Sequence, residues 1–286
     1  MTVTNKIVGL YSSFPESSHE KAVAQFFEQL ENPRHRQKPA TPRSNPLFLC
    51  FTNRCGSTWI GALLAEVGVF PSRTDGKKNF EFFNADSVTS IAKSADLHSM
   101  REYISHLNQE YVGAAGFFST KISVDQLAWI TRAELIRDLM PKPRFLFVRR
   151  RNTLAQAISF SIALQTHQWT SNHNKEAAEP EFRPQHIMDL HRIILNANAH
   201  FEAYFQLHQV DPLVIYYEDV IGKDKKFLDL AEAYLGVSLE NPVEREEEFT
   251  VRKQSTSRNS EWEEKMRQQY ANKLGPLPPN TVRHFG

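Results

Sequence analysis

The chain has 286 residues, 41% of them hydrophobic, with 34 basic against 33 acidic side chains and a formal charge of +1. That suffices for one large domain or two small ones, and one α/β domain with loop insertions is the simpler reading. Nothing in a near-neutral total suggests a nucleic-acid coat or a membrane-surface protein, so any recognition of an anion must be local.

The N-terminal stretch MTVTNKIVGLYSSFPESSHE has one Lys and no apolar segment of signal-peptide length. No later stretch approaches the ~20 apolar residues of a membrane span, which predicts a soluble cytoplasmic chain. An amphipathic pattern covers His19 to Leu30, and NPRHRQKPATPRSNP then reads as an extended connector, so residues 1–44 form a helix and linker ahead of a domain over 45–286. LFLCF (47–51) has the length of a buried strand, and STWIGALLAEVGVF (57–70) carries apolar residues at helical spacing with Gly68 near its end. GFFSTKISV (116–124), FLFV (145–148) and PLVIYYEDV (212–220) predict three further strands. Helical patterns follow each of them, over Asp125 to Leu139, Thr153 to Gln165 and Lys225 to Leu235. Strands alternating with helices imply a P-loop-like, mostly parallel sheet flanked by helices, with ligands outside the carboxyl ends of the strands. The polar stretch TSNHNKEAAEPEFRP (170–184) reads as a flexible loop, and EREEEF (244–249) as a solvated face.

Two loops carry the chemistry. Thr52, Asn53, Arg54, Cys55, Gly56, Ser57 and Thr58 lead from a strand into a helix N-terminus, where unsatisfied N–H groups and a partial positive charge favour an anion. Gly56 lets the backbone approach closely, the hydroxyls can donate, and Arg54 adds charge. An ordinary capped turn is the plainer alternative. The stretch is not a Walker A motif, because no Lys precedes Ser57. The second loop is Arg149, Arg150, Arg151 and Asn152, again between strand and helix; three adjacent arginines either form a solvated run or await an anionic partner. Two anion sites on one sheet edge suit a nucleotide with phosphates at both ends. The cysteines, Cys50 and Cys55, fit neither a disulfide framework nor a closed zinc site, and none of the eleven histidines forms HExxH, so no metal is expected.

TNRCGSTW resembles the 5′-phosphosulfate loop of sulfotransferases, close to PKSGTTW, with Arg54 in place of the Lys. RRRNTLAQAISF resembles their 3′-phosphate segment, an Arg at a strand end followed by a helical Ser, here Ser159. The closer resemblance is to the bacterial trehalose 2-sulfotransferase family, over most of residues 45–270. Its landmarks occur in order as NRCGST, EFF (Glu81 to Phe83), STKISVDQL with Lys121, QAISFSIALQTHQW ending at Trp169, and QSTSRNSEW from Gln254 to Trp262.

The resemblance implies a sulfotransferase fold, transfer of a sulfuryl group from 3′-phosphoadenosine 5′-phosphosulfate to an alcohol without a metal, and a carbohydrate or glycolipid acceptor, with a trehalose-like sugar among the candidates. It also implies a homodimer, which no stretch of the sequence establishes. Arg54 and Lys121 are candidates for the charge on the leaving oxygen. Many animal sulfotransferases place a catalytic His two residues after that Lys; here the position is Ser123, and the family's proposed base is Glu81. Flanking Phe80, Phe82 and Phe83 are expected to strip water from that carboxylate. Read alone, a Glu among phenylalanines is an exposed polar position between core residues. Arg150, with Arg151 as its alternative, and Ser159 are assigned to the 3′-phosphate, with Arg252, Lys253 and Arg258 in support. Phe82, Phe83 and Trp169 are candidates to stack on a sugar. Two other readings stand beside this one: a phosphotransferase on a related scaffold, and a nucleotide or sugar binder without turnover.

Overall fold

A computed structural model describes residues 14, 17–30, 44–71, 80–169, 179–239 and 257–275. Four strands, β1 (Asn45–Phe51), β2 (Phe117–Ile122), β3 (Arg144–Arg149) and β4 (Leu213–Tyr216), form one sheet in the order β2-β1-β3-β4. Every pair is parallel, with Cys50 opposite Ile122, Phe51 opposite Val148 and Arg149 opposite Tyr216. The chain goes from β1 to a neighbour on one side and then crosses to the other, so the topological switch point falls between β1 and β3. In open parallel sheets the ligand crevice lies outside the strand ends at such a point.

Alternation along the strands decides the two faces. Phe48, Cys50, Phe118, Phe145 and Phe147 enter one core, packed by α1 (Ser18–Leu30), α3 (Ala85–Ser94), α4 (Met100–Glu110), α5 (Val124–Arg132), α6 (Leu135–Leu139) and the end of α8 (Pro184–Leu207). Leu47, Leu49, Phe51, Leu146 and Val148 enter the other, against α2 (Ser57–Glu66) and α10 (Asp224–Leu235). With both faces covered, β1 is apolar on both sides, which explains its continuous LFLCF run. A third cluster joins α7 (Thr153–Thr166), the start of α8 and α11 (Ser257–Leu274) through Ile158, Ile187, Ile194 and Trp262. Each large side chain buried in these clusters contributes about 1.5–3 kcal/mol.

All four expected strands are present, within three residues at their starts, but the fourth stops early. PLVIYYEDV is strand only to Tyr216, and Tyr217–Val220 is a one-turn helix, α9. The helix expected over Asp125 to Leu139 breaks into α5 and α6 around Glu134, whose positive φ of 59° interrupts the helical path. Ser123 starts α5 with a capping box to Gln126. The helix expected over 57–70 ends at Glu66, and Gly68, at φ 73°, turns the chain away. Of the connector NPRHRQKPATPRSNP only Ser44, Asn45 and Pro46 are described, the last two already in β1; most of the loop near 170–184 and the acidic run 244–249 lie outside the described residues. Among the described residues no helix is long and apolar enough to cross a membrane.

Candidate functional site

The first loop leaves β1 at Phe51. Its turn is closed by the Cys55 N–H, which donates to the Thr52 carbonyl at 3.2 Å. Arg54 and Gly56 both have positive φ, 65° and 99°. Gly56 is the N-cap of α2 and brings no side chain to bond the helix's first N–H groups. A Cβ on Gly56 would lie 2.3 Å from Cδ2 of Tyr217, so both the backbone angle and the covering ring require glycine. A ten-residue helix thus points an uncapped N-terminus at the switch point. Ser57 is buried and Thr58 partly exposed. Beneath the loop, Trp59 packs edge-on against Tyr217 with ring centroids 6.5 Å apart. Cys50 and Cys55 are free and fully buried, and burial pushes both thiols up from their ordinary value.

The second loop is built differently. Arg149 pairs with Glu202 of α8. Arg151 makes a bidentate pair with Asp219 at 2.8 and 2.6 Å, and these bonds raise the Arg151 pKa while lowering that of Asp219. Glu218 accepts from the backbone N–H of Arg151 at 3.1 Å and of Asn152 at 3.4 Å. Asn152 caps α7, its side chain accepting from the Ala155 N–H at 2.9 Å and donating to Glu263 of α11 at 2.8 Å. Among the described residues Arg150 has the longest ion pair of the three, with Glu218. Its Nε lies 3.7 Å from Glu218, beyond hydrogen-bond reach, and has no hydrogen-bond partner among the described residues. Its guanidinium lies 5.1 Å from the centroid of the Tyr217 ring.

The two loops meet through Arg54. Its Nε donates to the Ser159 hydroxyl at 3.2 Å and a terminal nitrogen donates to the Trp169 carbonyl at 2.6 Å. Burial, followed by the charge of Arg150, holds the Arg54 pKa below the ordinary guanidinium value. Two guanidiniums repelling each other beside an uncapped helix end form a place where an anion is stabilised.

On the other side of the first loop, Lys121 at the end of β2 is almost wholly buried, and its Nζ donates to a Glu81 carboxylate oxygen at 3.0 Å. The same Nζ sits 4.8 Å from the centroid of the Phe51 ring, and its charge reaches Cys55 of the loop. Glu81 is held by its backbone neighbours. The Lys121 N–H and the Thr120 hydroxyl donate to the Phe80 carbonyl at 2.8 and 3.0 Å, and the Phe82 N–H donates back to Thr120 at 3.3 Å. The Tyr103 hydroxyl donates to the Phe82 carbonyl at 2.6 Å.

Two expectations need correction. Phe82 and Phe83 are 0% exposed and belong to the core that contains Phe118, so neither presents a face to a sugar. Nor do the flanking rings enclose the carboxylate. Phe80 goes into the opposite core from Phe82 and Phe83, while Glu81, its side chain 23% exposed, faces Lys121. Trp169 is 40% exposed and lies 6.1 Å, ring to ring, from Phe160. Arg258 sits in the first turn of α11 and pairs with Glu179. Arg252 and Lys253 lie outside the described residues. Three contributors were not singled out from the sequence: Tyr217 over Gly56, Glu218 under the second loop, and Gln156 of α7, which binds Thr52 and Asn53. Tyr217 and Glu218 were hidden inside an apparent strand; the Tyr-Glu-Asp run at its end was the available signal.

A profile of the family described as Stf0 sulphotransferase matches residues 47–269, which include β1, both basic loops, Glu81, Lys121 and most of α11. No curated protein matches the chain.

Proposed function

The chain belongs to the Stf0 sulphotransferase family, and on that premise we propose that it moves the sulfuryl group of 3′-phosphoadenosine 5′-phosphosulfate to a hydroxyl of a carbohydrate or glycolipid. The observation that carries the donor reading is the meeting of two basic loops at one switch point, with Arg54 touching Ser159 and electrostatically coupled to Arg150. The start of α2, which Gly56 leaves without a capping side chain, suits the 5′ end. Arg150 and Ser159 suit the 3′ end, with Arg54 bonded to Ser159 beside them. Arg150 is favoured over Arg151, whose fork is spent on Asp219. The donor, when bound, supplies an activated sulfuryl group whose departure leaves negative charge on a phosphate oxygen.

Glu81 accepts the proton of the acceptor hydroxyl. Lys121 keeps that carboxylate oriented at 3.0 Å and brings positive charge close to the first loop. Arg54 serves the leaving oxygen from the other side, where it now bonds Ser159 and the Trp169 backbone. Trp169 is the exposed aromatic beside this crevice and is assigned to the sugar face.

Incubation of purified protein with labelled donor and a panel of sugars is expected to give a sulfated product. Absence of both product and donor binding overturns the reading, whereas binding without product points to a sensor that has lost turnover. Glu81→Ala is expected to lower turnover by ~10²–10⁴-fold with nucleotide affinity nearly unchanged. Full activity in that variant removes Glu81 from the role of base.

A further inference from the structure

Helix α7 reaches back to the first loop with a second residue, Gln156, one turn before Ser159. Gln156 is 0% exposed. Its amide nitrogen donates to the Thr52 hydroxyl at 2.9 Å and to the Asn53 carbonyl at 2.7 Å. Its amide oxygen is buried and meets no donor among the described residues. The two ends of the amide cannot be exchanged to improve matters, because a turned amide would set its oxygen against the Asn53 carbonyl, acceptor to acceptor.

A buried polar atom without a partner costs stability that an apolar chain of similar length would recover. Its chain neighbours Ala157 and Ile158 are buried in the cluster with α8 and α11, whereas the Gln156 amide bonds only the first loop. The amide therefore contributes at the loop, not in the core. Its bonds fall on the residues just before Arg54, whose left-handed backbone and bond to Ser159 carry the loop across to α7. Gln156 and Ser159 thus tie the same short turn to one helix from two points.

We infer that Gln156 is a positioning residue that sets the separation between the anion site at the start of α2 and the one at Arg150 and Ser159. By doing so it makes the crevice demand an anionic group at each end of the nucleotide. This rests on the bisphosphorylated donor proposed above. A ligand held at one end adapts to a loop that has shifted, whereas a ligand held at both ends cannot, since its own length is fixed.

The test is calorimetric titration of wild type and Gln156→Leu with adenosine 3′,5′-bisphosphate and with adenosine 5′-monophosphate, accompanied by thermal melts. Wild type is expected to prefer the bisphosphate. In Gln156→Leu the bisphosphate Kd is expected to rise about tenfold and the monophosphate Kd by less than about twofold. The melts establish that the variant folds, since Leu removes the partnerless amide oxygen and also the donors to Thr52 and Asn53; the discriminating readout is the difference between the two nucleotides, which a purely structural role would not give. Equal weakening of both nucleotides, or no weakening of either, overturns the inference and leaves the donor assignment standing. Wild type that binds neither nucleotide overturns the donor assignment itself. Should Gln156→Leu not fold, Thr52→Val removes one of the two acceptors and is expected to narrow the same preference by a smaller factor; an unchanged preference there also overturns the inference.

Discussion

The loop after β1 and the loop after β3 both join a parallel strand to a helix and both carry arginine, yet they solve opposite problems. The first leaves its helix N-terminus uncapped, with glycine in the capping position and a tyrosine ring pressed over it. The second is largely served from within the fold: Asn152 caps α7, Glu218 takes two backbone N–H groups, and Asp219 and Glu202 neutralise the outer arginines. A run of basic residues is thus no measure of anion affinity. What counts is how tightly the fold's own carboxylates hold each charge, and in the second loop the most loosely held is Arg150, 3.7 Å from Glu218.

The largest effect should follow from closing the first loop. Gly56→Ala forces a left-handed alanine into the Tyr217 ring, and a loss of roughly 2–4 kcal/mol of stability, read from denaturant midpoints, is expected together with loss of nucleotide binding. Next comes the asymmetry within the second loop. Arg150→Ala is expected to weaken adenosine 3′,5′-bisphosphate by about 2 kcal/mol in a titration. Arg151→Ala, which breaks an exposed pair with Asp219 and a contact with the Tyr216 ring, should stay within about 0.5 kcal/mol. Equal effects of the two would erase the distinction drawn here. The smallest effect concerns the floor of the first loop. Burial raises the Cys50 and Cys55 pKa values, so at mildly alkaline pH the folded protein holds less thiolate than the unfolded chain. Iodoacetamide is expected to leave both untouched until urea unfolds the protein. By the same sign, the stability tied to these thiols is whole below the unfolded thiol pKa and drains as pH rises through the folded one.

The strands and the first loop were legible because their signal is local: LFLCF and FLFV are apolar runs, FFSTKI opens on two phenylalanines, and Gly56 announces a turn that only glycine makes. The neutralisation of the second loop was not legible, because Glu202, Glu218 and Asp219 lie 53 to 68 residues downstream of their partners. Phe82 and Phe83 misled for a related reason. A short aromatic run shows that rings are buried somewhere, but which side of the sheet receives each one is decided by α3, α4 and β2. Gln156 opens the QAISF landmark, but its role became visible only when its bonds to the first loop were seen.

The segment around Glu81 covers the outer edge of β2, fastened by the Thr120 hydroxyl and the Lys121 N–H. Phe80 and Phe82 anchor in opposite cores, with the carboxylate between them. A slip of one residue would therefore do more than displace the carboxylate. It would drive a charge into a hydrocarbon core and bring a phenyl ring up to Lys121, at a cost of several kcal/mol. The penalty on every neighbouring alignment makes the placement of Glu81 all-or-none: the protein carries its own proofreading of where the carboxylate sits, written in the two phenylalanines beside it.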